Sequence, residues 1–185
     1  LYGSEEEDCA RVKAKLVDDM FARLLEELEK NGQLENTVIS GMTDHYTYGY
    51  KDLPSLLELS GVQETLLLEK TPCFIWSPGL PAMEMDKVLN TSDLLPTVLN
   101  LLGVDTAYDY IGQDAFDDGY EGFVPFSNGS WISGDTAFDA AGKKLISISG
   151  NRHTVTGEFQ KEMADRVQEF IRINNLILEA DYYQE

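Results

Sequence analysis

Asp44 and His45 are the residues of this chain best suited to chemistry. A carboxylate oxygen beside an imidazole nitrogen is a donor pair that suits Mn²⁺, Zn²⁺ or Mg²⁺. The pair stands in Thr43-Asp44-His45-Tyr46, directly after Thr37-Val38-Ile39-Ser40-Gly41-Met42. That β-branched, apolar run predicts a buried strand over 37–42. Asp44 and His45 are therefore expected side by side at the carboxyl end of a strand, facing solvent, where open α/β sheets bind ligands. The alternative is a polar loop pair with Asp44 capping a turn. Two ligands do not complete a metal shell, and the rest must come from elsewhere. Thr43 adjoins the pair but reads as a strand-end hydroxyl rather than a nucleophile.

The elements that must position the pair follow from periodicity. Cys9 to Lys30 predicts a helix, with Val17, Met20, Phe21, Leu24, Leu25 and Leu28 on one apolar face and Gly32 beyond its end. Pro54 to Ser60 predicts a short helix stopped by Gly61. Pro72 to Ser77 predicts a second buried strand holding Cys73 as a small hydrophobe. Lys87 to Leu89 is expected as a short strand. Ser92 to Leu102 predicts a helix closed by Gly103, with Asp93 as an N-terminal acid. Beyond Gly103 the pattern changes to short alternating segments at 123–126, 130–133, 136–138 and 144–149. Turns at Asn128-Gly129, Ser133-Gly134 and Ala141-Gly142 make these an antiparallel meander. A final helix is expected from Gly157 to Asp181. The layout divides into an α/β part over 1–104 and a small antiparallel sheet with a terminal helix over 105–185. Two or three strands, read as parallel, are few for a self-sufficient doubly wound sheet. Part of the sheet is therefore expected outside this chain, and a bare edge left here would favour self-association.

Composition narrows the function classes. The chain has 185 residues and a net charge of −19, from 33 acidic and 14 basic residues. That balance argues against binding nucleic acid or an anionic bilayer by charge. Mean hydropathy is −0.26, and no apolar run approaches the about 20 residues that span a bilayer. The two cysteines, Cys9 and Cys73, are no disulfide framework. A start without Met that runs straight into a helix suggests a piece of a longer protein. Other polar and aromatic residues read blandly. His153 belongs to a solvated turn, Trp76 and Trp131 to packing, and Asn128-Gly129-Ser130 to a hairpin turn. Tyr46, Tyr48 and Tyr50 suit either a glycerol or sugar pocket or a sheet rim.

Three segments in order carry a family resemblance: Asn36-Thr37-Val38-Ile39 leading to Thr43-Asp44-His45-Tyr46; Thr71-Pro72-Cys73-Phe74-Ile75 with Pro78-Gly79; and Ser92 to Gly103. Gly112-Gln113-Asp114-Ala115-Phe116 and Val124 to Ile132 extend it. Over residues 10–150 the chain resembles the C-terminal part of the lipoteichoic acid synthase family, phosphoglycerol transferases of the alkaline phosphatase and sulfatase superfamily. The resemblance implies the C-terminal portion of an α/β/α sandwich, followed by the small sheet and helix. It implies one divalent ion, Mn²⁺ first and Mg²⁺ or Zn²⁺ otherwise, held by an early acid, a Thr nucleophile and a late Asp-His pair.

Only the late pair, Asp44 and His45, has a counterpart here, so the metal site is incomplete and no catalytic nucleophile lies in this chain. The implied parent is a membrane-anchored protein acting at the outer face of a bacterial membrane. Its implied partners are the missing N-terminal part of the same polypeptide and a lipid-linked phosphoglycerol or similar phosphodiester. Two other functions compete: a sulfatase or phosphodiesterase of the same superfamily, and a non-catalytic binding module. Neither cysteine lies in a Cys-x-Pro-x-Arg pattern, which argues against formylglycine chemistry in this segment.

Overall fold

The computed structural model describes residues 5–150 and 154–184. The chain forms two compact units, Leu1–Met83 and Glu84–Glu185. His153 lies outside the described residues.

The first unit opens on α1 (Glu5–Lys30), whose first turn carries Glu5, Glu6, Glu7 and Asp8, as the helix dipole favours. Strand β1 (Ile39–Met42), α2 (Leu53–Ser60) and β2 (Cys73–Trp76) follow, with short 3₁₀ turns at Leu34–Asn36 and Thr65–Glu69. Asp52 caps α2, accepting from Ser55 N at 3.4 Å and Ser55 Oγ at 2.6 Å. Strands β1 and β2 pair antiparallel, Ile39 opposite Trp76 and Met42 opposite Cys73. This corrects the parallel reading. The connection through α2 returns the chain to the end where β1 finishes, so β2 runs back alongside it. A parallel return would need a crossover spanning the length of the sheet.

Gly41 faces Phe74 across the pair, and a Cβ on Gly41 would lie 2.7 Å from the Phe74 ring. The bare backbone lets that ring lie over β1 and meet Phe21 of α1 edge-on, with centroids 5.5 Å apart. The apolar face of α1 is thereby divided: Phe21, Leu25 and Leu28 are half-buried, whereas Val17, Met20 and Leu24 are exposed. The expectation of two buried strands is corrected in the same way. Only alternate residues of β1 are half-buried, and Cys73 is exposed at the start of β2. A four-residue strand in a two-stranded sheet has neighbours on too few sides to bury its ends.

The second unit contains α3 (Leu94–Leu102), entered through a 3₁₀ turn at Thr91–Asp93 and closed by Gly103 in the left-handed conformation. Four strands then form the expected antiparallel meander: β3 (Phe123–Pro125), β4 (Trp131–Ser133), β5 (Thr136–Asp139) and β6 (Lys144–Ser147). Helix α4 (Gly157–Ala180), capped by Thr156, lies against β3 and β4. Phe123, Trp131, Met163 and Val167 make the core between them, with Phe138, Phe159 and Ile171 around it. Asn128 Oδ1 accepts from Ser130 N at 2.9 Å, and Ser130 is fully buried, so this tripeptide is a turn as expected.

Lys87 to Leu89 is not a strand. Lys87 Nζ instead donates to the carbonyls of Ala115 and Asp117 at 2.9 and 2.8 Å, pinning the segment as a loop.

Asp93 organises the second unit. It is only 2 % exposed. Its Oδ2 accepts from Asn90 N and the Tyr120 hydroxyl, and its Oδ1 from Gln113 N, each at 2.8 Å. Thr97, one turn on, accepts from Ala115 N at 2.9 Å. Helix α3 is therefore bonded to the loop at 113–115, which is why compactness places it in the second unit although the sequence pattern changes only after Gly103.

Burial, then the hydrogen bond to Asp93 and its charge, push the Tyr120 pKa well above its ordinary value of 10. The folded chain thus keeps a proton that the unfolded chain releases. Stability from this group is complete below pH 10 and is lost as pH rises above it. Tyr120→Phe should cost about 1 kcal/mol near neutrality. It should also make the alkaline fall shallower in urea unfolding between about pH 8 and pH 11. An equally steep fall in both proteins would remove Tyr120 from that role.

Candidate metal centre

Thr43 is held at the mouth of the β1–β2 pair by both its backbone groups. Its N–H donates to Pro72 O at 3.3 Å, and its carbonyl accepts from Thr71 Oγ1 at 3.4 Å. This tie fixes where the chain leaves β1, and Asp44 and His45 follow at once. Both side chains are accessible, at 87 % and 43 % exposure, and Asp44 Oδ2 lies 3.6 Å from His45 Nε2. The two residues are thus side by side just past the carboxyl end of β1, open to solvent.

The imidazole is oriented on two sides. Nδ1 lies 2.6 Å from Tyr46 O, so this nitrogen carries the hydrogen and donates to the carbonyl. Tyr48 stacks on the ring with centroids 4.0 Å apart and planes within 11°. Tyr46 in turn meets Tyr48 edge-on at 4.7 Å. Two of the three tyrosines that could have lined a pocket therefore brace His45. Lys51, the one Lys or Arg between Lys30 and Lys70, is 91 % exposed and 4.0 Å from Glu6. It is largely solvated.

A metal ion would be met by neutral imidazole, and with hydrogen on Nδ1 that form presents Nε2 toward the same space as Asp44 Oδ2. Metal–ligand bonds of about 2.1 Å at ordinary angles place neighbouring donors about 3.0–3.4 Å apart. A separation of 3.6 Å is close to that span, and the carbonyl behind Nδ1 is the usual second partner of a ligating histidine. The pair fits two positions of a divalent ion. Among the described residues, no group of three or more His, Cys, Asp and Glu converges to complete a shell.

Residues 13–104 match the family model described as Sulfatase. The lipoteichoic acid synthases of Staphylococcus aureus strains USA300 and NCTC 8325 are each 27 % identical over 178 residues. In both, 92 % of this chain is covered but 27 % of the relative, so the chain spans about a quarter of these proteins' length. The crystal structure of a lipoteichoic acid synthase from Listeria monocytogenes superposes with a TM-score of 0.71 at 19 % identity. It covers 88 % of this chain and 43 % of that one. The two share a fold.

Proposed function

Residues 13–104 belong to the sulfatase family, and from that premise we propose that the chain is the C-terminal part of a metal-dependent phosphoglycerol transferase acting in cell-envelope polymer synthesis. The observation that carries the proposal is the oriented Asp44–His45 pair, with Oδ2 and Nε2 3.6 Å apart at the end of β1. Asp44 and His45 would hold one divalent ion, Mn²⁺ in the first instance, whose charge would neutralise phosphate oxygens and favour an ionised hydroxyl. The acid and the Thr that complete the shell come from the upstream polypeptide. Among the described residues no helix is long and apolar enough to cross a membrane, and anchoring at the outer face of the membrane is likewise assigned to the upstream part. The exposed apolar side chains of the first unit, Val17, Met20, Leu24, Val38 and Met42, fit a surface that this part covers. Left bare, they make the isolated chain prone to self-association.

In the proposed reaction the Thr oxygen attacks phosphorus of a lipid-linked phosphoglycerol. An O–P bond to Thr forms, and the P–O bond to the lipid alcohol breaks, the alcohol leaving with a proton. An acceptor alcohol then attacks the same phosphorus, releases Thr and completes the transfer. The role of this chain is positional. Tyr46 O fixes the His45 tautomer, Tyr48 fixes the ring plane, and the Thr71–Thr43 tie fixes the loop that bears both ligands. Hydrolysis would differ only in water as the second nucleophile, so product analysis separates the two. The complete polypeptide with Mn²⁺ should lengthen a glycerol phosphate chain rather than release glycerol phosphate. The 185-residue chain alone should be inactive and bind Mn²⁺ with a dissociation constant well above about 1 µM by calorimetry. Submicromolar binding that His45→Ala abolishes would mean the site is complete here and would overturn the shared-site reading.

A further inference from the structure

The acidic first turn of α1 does more than complement the helix dipole. Glu6 reaches a residue 45 positions further along the chain: the Lys51 backbone N–H donates to Glu6 Oε2 at 3.1 Å. The Glu6 side chain is 31 % exposed, whereas that of Lys51 is 91 % exposed with its Nζ 4.0 Å away. The tie is therefore made to the backbone, and the lysine ammonium adds little. A carboxylate accepting from a backbone N–H belongs to the stronger class of hydrogen bond. Glu7, next in the same turn, accepts from Arg11 Nε at 3.0 Å within the helix instead.

Lys51 stands at a junction. Tyr50 N donates to Thr47 O at 3.3 Å and closes a turn just before it. Asp52, just after it, caps α2 through Ser55. The Lys51 N–H lies between that turn and that cap, and Glu6 is its acceptor. At the other end of the segment, Thr43 is tied to Pro72 and Thr71. Residues 43–51 are thus fixed at one end to the approach to β2 and at the other to α1. Asp44 and His45 lie between the two ties, as do Tyr46 and Tyr48, which orient the imidazole. Fixing both ends of a short loop removes conformations that it would otherwise sample. Donors on such a loop keep their geometry only as well as its supports are held. Helix α1 has few other supports near this point, since residues 11–18 are all exposed and Phe21 meets Phe74 four turns further on.

We propose that Glu6 is a positioning residue of the metal loop, and that its bond to the Lys51 N–H holds Asp44 and His45 in register for one divalent ion. The proposal rests on the reading of that pair as metal donors. Glu6 itself touches no reacting atom.

The test uses the complete polypeptide and two readouts, amide hydrogen exchange without metal and Mn²⁺ affinity by calorimetry. Glu6→Ala should speed exchange over residues 44–51 by about tenfold in the metal-free protein. It should raise the Mn²⁺ dissociation constant by about tenfold, as loss of outer support typically does. Glu6→Gln keeps a carbonyl oxygen for the Lys51 N–H and loses only the charge, so it should bring both values back close to those of the parent. Glu5→Ala should change neither, because Glu5 shares the turn and the dipole but has no bond to the loop among the described residues. Unchanged loop exchange in Glu6→Ala would overturn the proposal. So would a Glu6→Gln variant as impaired as Glu6→Ala, which would make charge the cause, or a Glu5→Ala variant equally impaired, which would make it the dipole. Faster exchange with unaltered Mn²⁺ affinity, where His45→Ala weakens binding, would leave Glu6 no role at the metal and overturn it as well. Mn²⁺ binding indifferent to His45→Ala would overturn the reading of the pair as metal donors, a separate failure, and the metal-free exchange would still decide whether Glu6 holds the loop.

Discussion

His45→Ala, introduced into the complete polypeptide, should lower phosphoglycerol transfer by about three orders of magnitude or more, and Asp44→Ala should do the same. Members of one metal shell act as a unit, so removing either forfeits most of what both supply, and the double variant should be little worse than the singles. Two neighbours serve as internal controls. Tyr48→Ala removes the ring stacked 4.0 Å from His45 without touching a ligand. It should cost about 10-fold, as loss of outer support typically does, with rescue by Tyr48→Phe. Thr43→Ala should change the rate little, because Thr43 is tied through its backbone to Thr71 and Pro72. The measurement is polymer formed per enzyme with Mn²⁺ in excess. Transfer surviving in His45→Ala would remove the pair from the reaction. Transfer abolished by Thr43→Ala would place the nucleophile in this chain, against the proposed division of the site.

The location of that pair was legible because it depends on local signals. An apolar β-branched run followed by polar residues marks a strand end, and Asp44 and His45 are the residues that come next. The meander was legible for the same reason. Asn128-Gly129, Ser133-Gly134 and Ala141-Gly142 punctuate it, and β3 to β6 fall between those turns. The direction of β2 was not legible, since an apolar run reads alike in either sense. It is set by where the intervening loop and α2 return the chain. Nor was the exposure of Cys73, which depends on how many strands flank β2. The brace on His45 could be read only in part. Tyr46 and Tyr48 were visible as an aromatic cluster, but that one supplies a carbonyl to Nδ1 and the other a ring face is a matter of loop conformation.

Asp93 marks the limit of local reading most clearly. As an acid at a helix start it fitted a modest capping role. The pattern Asn90-x-x-Asp93 does signal the reciprocal cap that forms, in which Asn90 Oδ1 accepts from Ser92 N and Asp93 Oδ2 from Asn90 N. Its other partners, Gln113 N and the Tyr120 hydroxyl, stand 20 and 27 residues further along the chain. No periodicity reports bonds of that range. They convert a surface cap into a buried junction between α3, the 113–115 loop and the approach to β3.

Asp93→Ala should therefore be as destabilising as a large truncation in the apolar core of the second unit. It leaves three donors, Asn90 N, Gln113 N and the Tyr120 hydroxyl, without the acceptor that Asp93, itself 2 % exposed, supplies. Stranding buried donors costs about 1–3 kcal/mol each, offset in part by relaxation and water entry. For three such donors, after that offset, a loss of about 3–5 kcal/mol is the expected result. For a chain of this length it lowers the melting temperature by about 10–15 °C. Asp93→Asn keeps the shape and one acceptor oxygen, so it should lose roughly half as much. The cause can be separated from general damage with Tyr120→Phe. If the Tyr120 hydroxyl acts through Asp93, that variant should cost about 1 kcal/mol alone and close to nothing when Asp93 is already alanine. Urea unfolding of the four proteins measures the cycle. Additive losses would mean that the 2.8 Å bond between Tyr120 and Asp93 contributes little. A loss below about 1 kcal/mol for Asp93→Ala would return this residue to the ordinary helix cap that local sequence suggests.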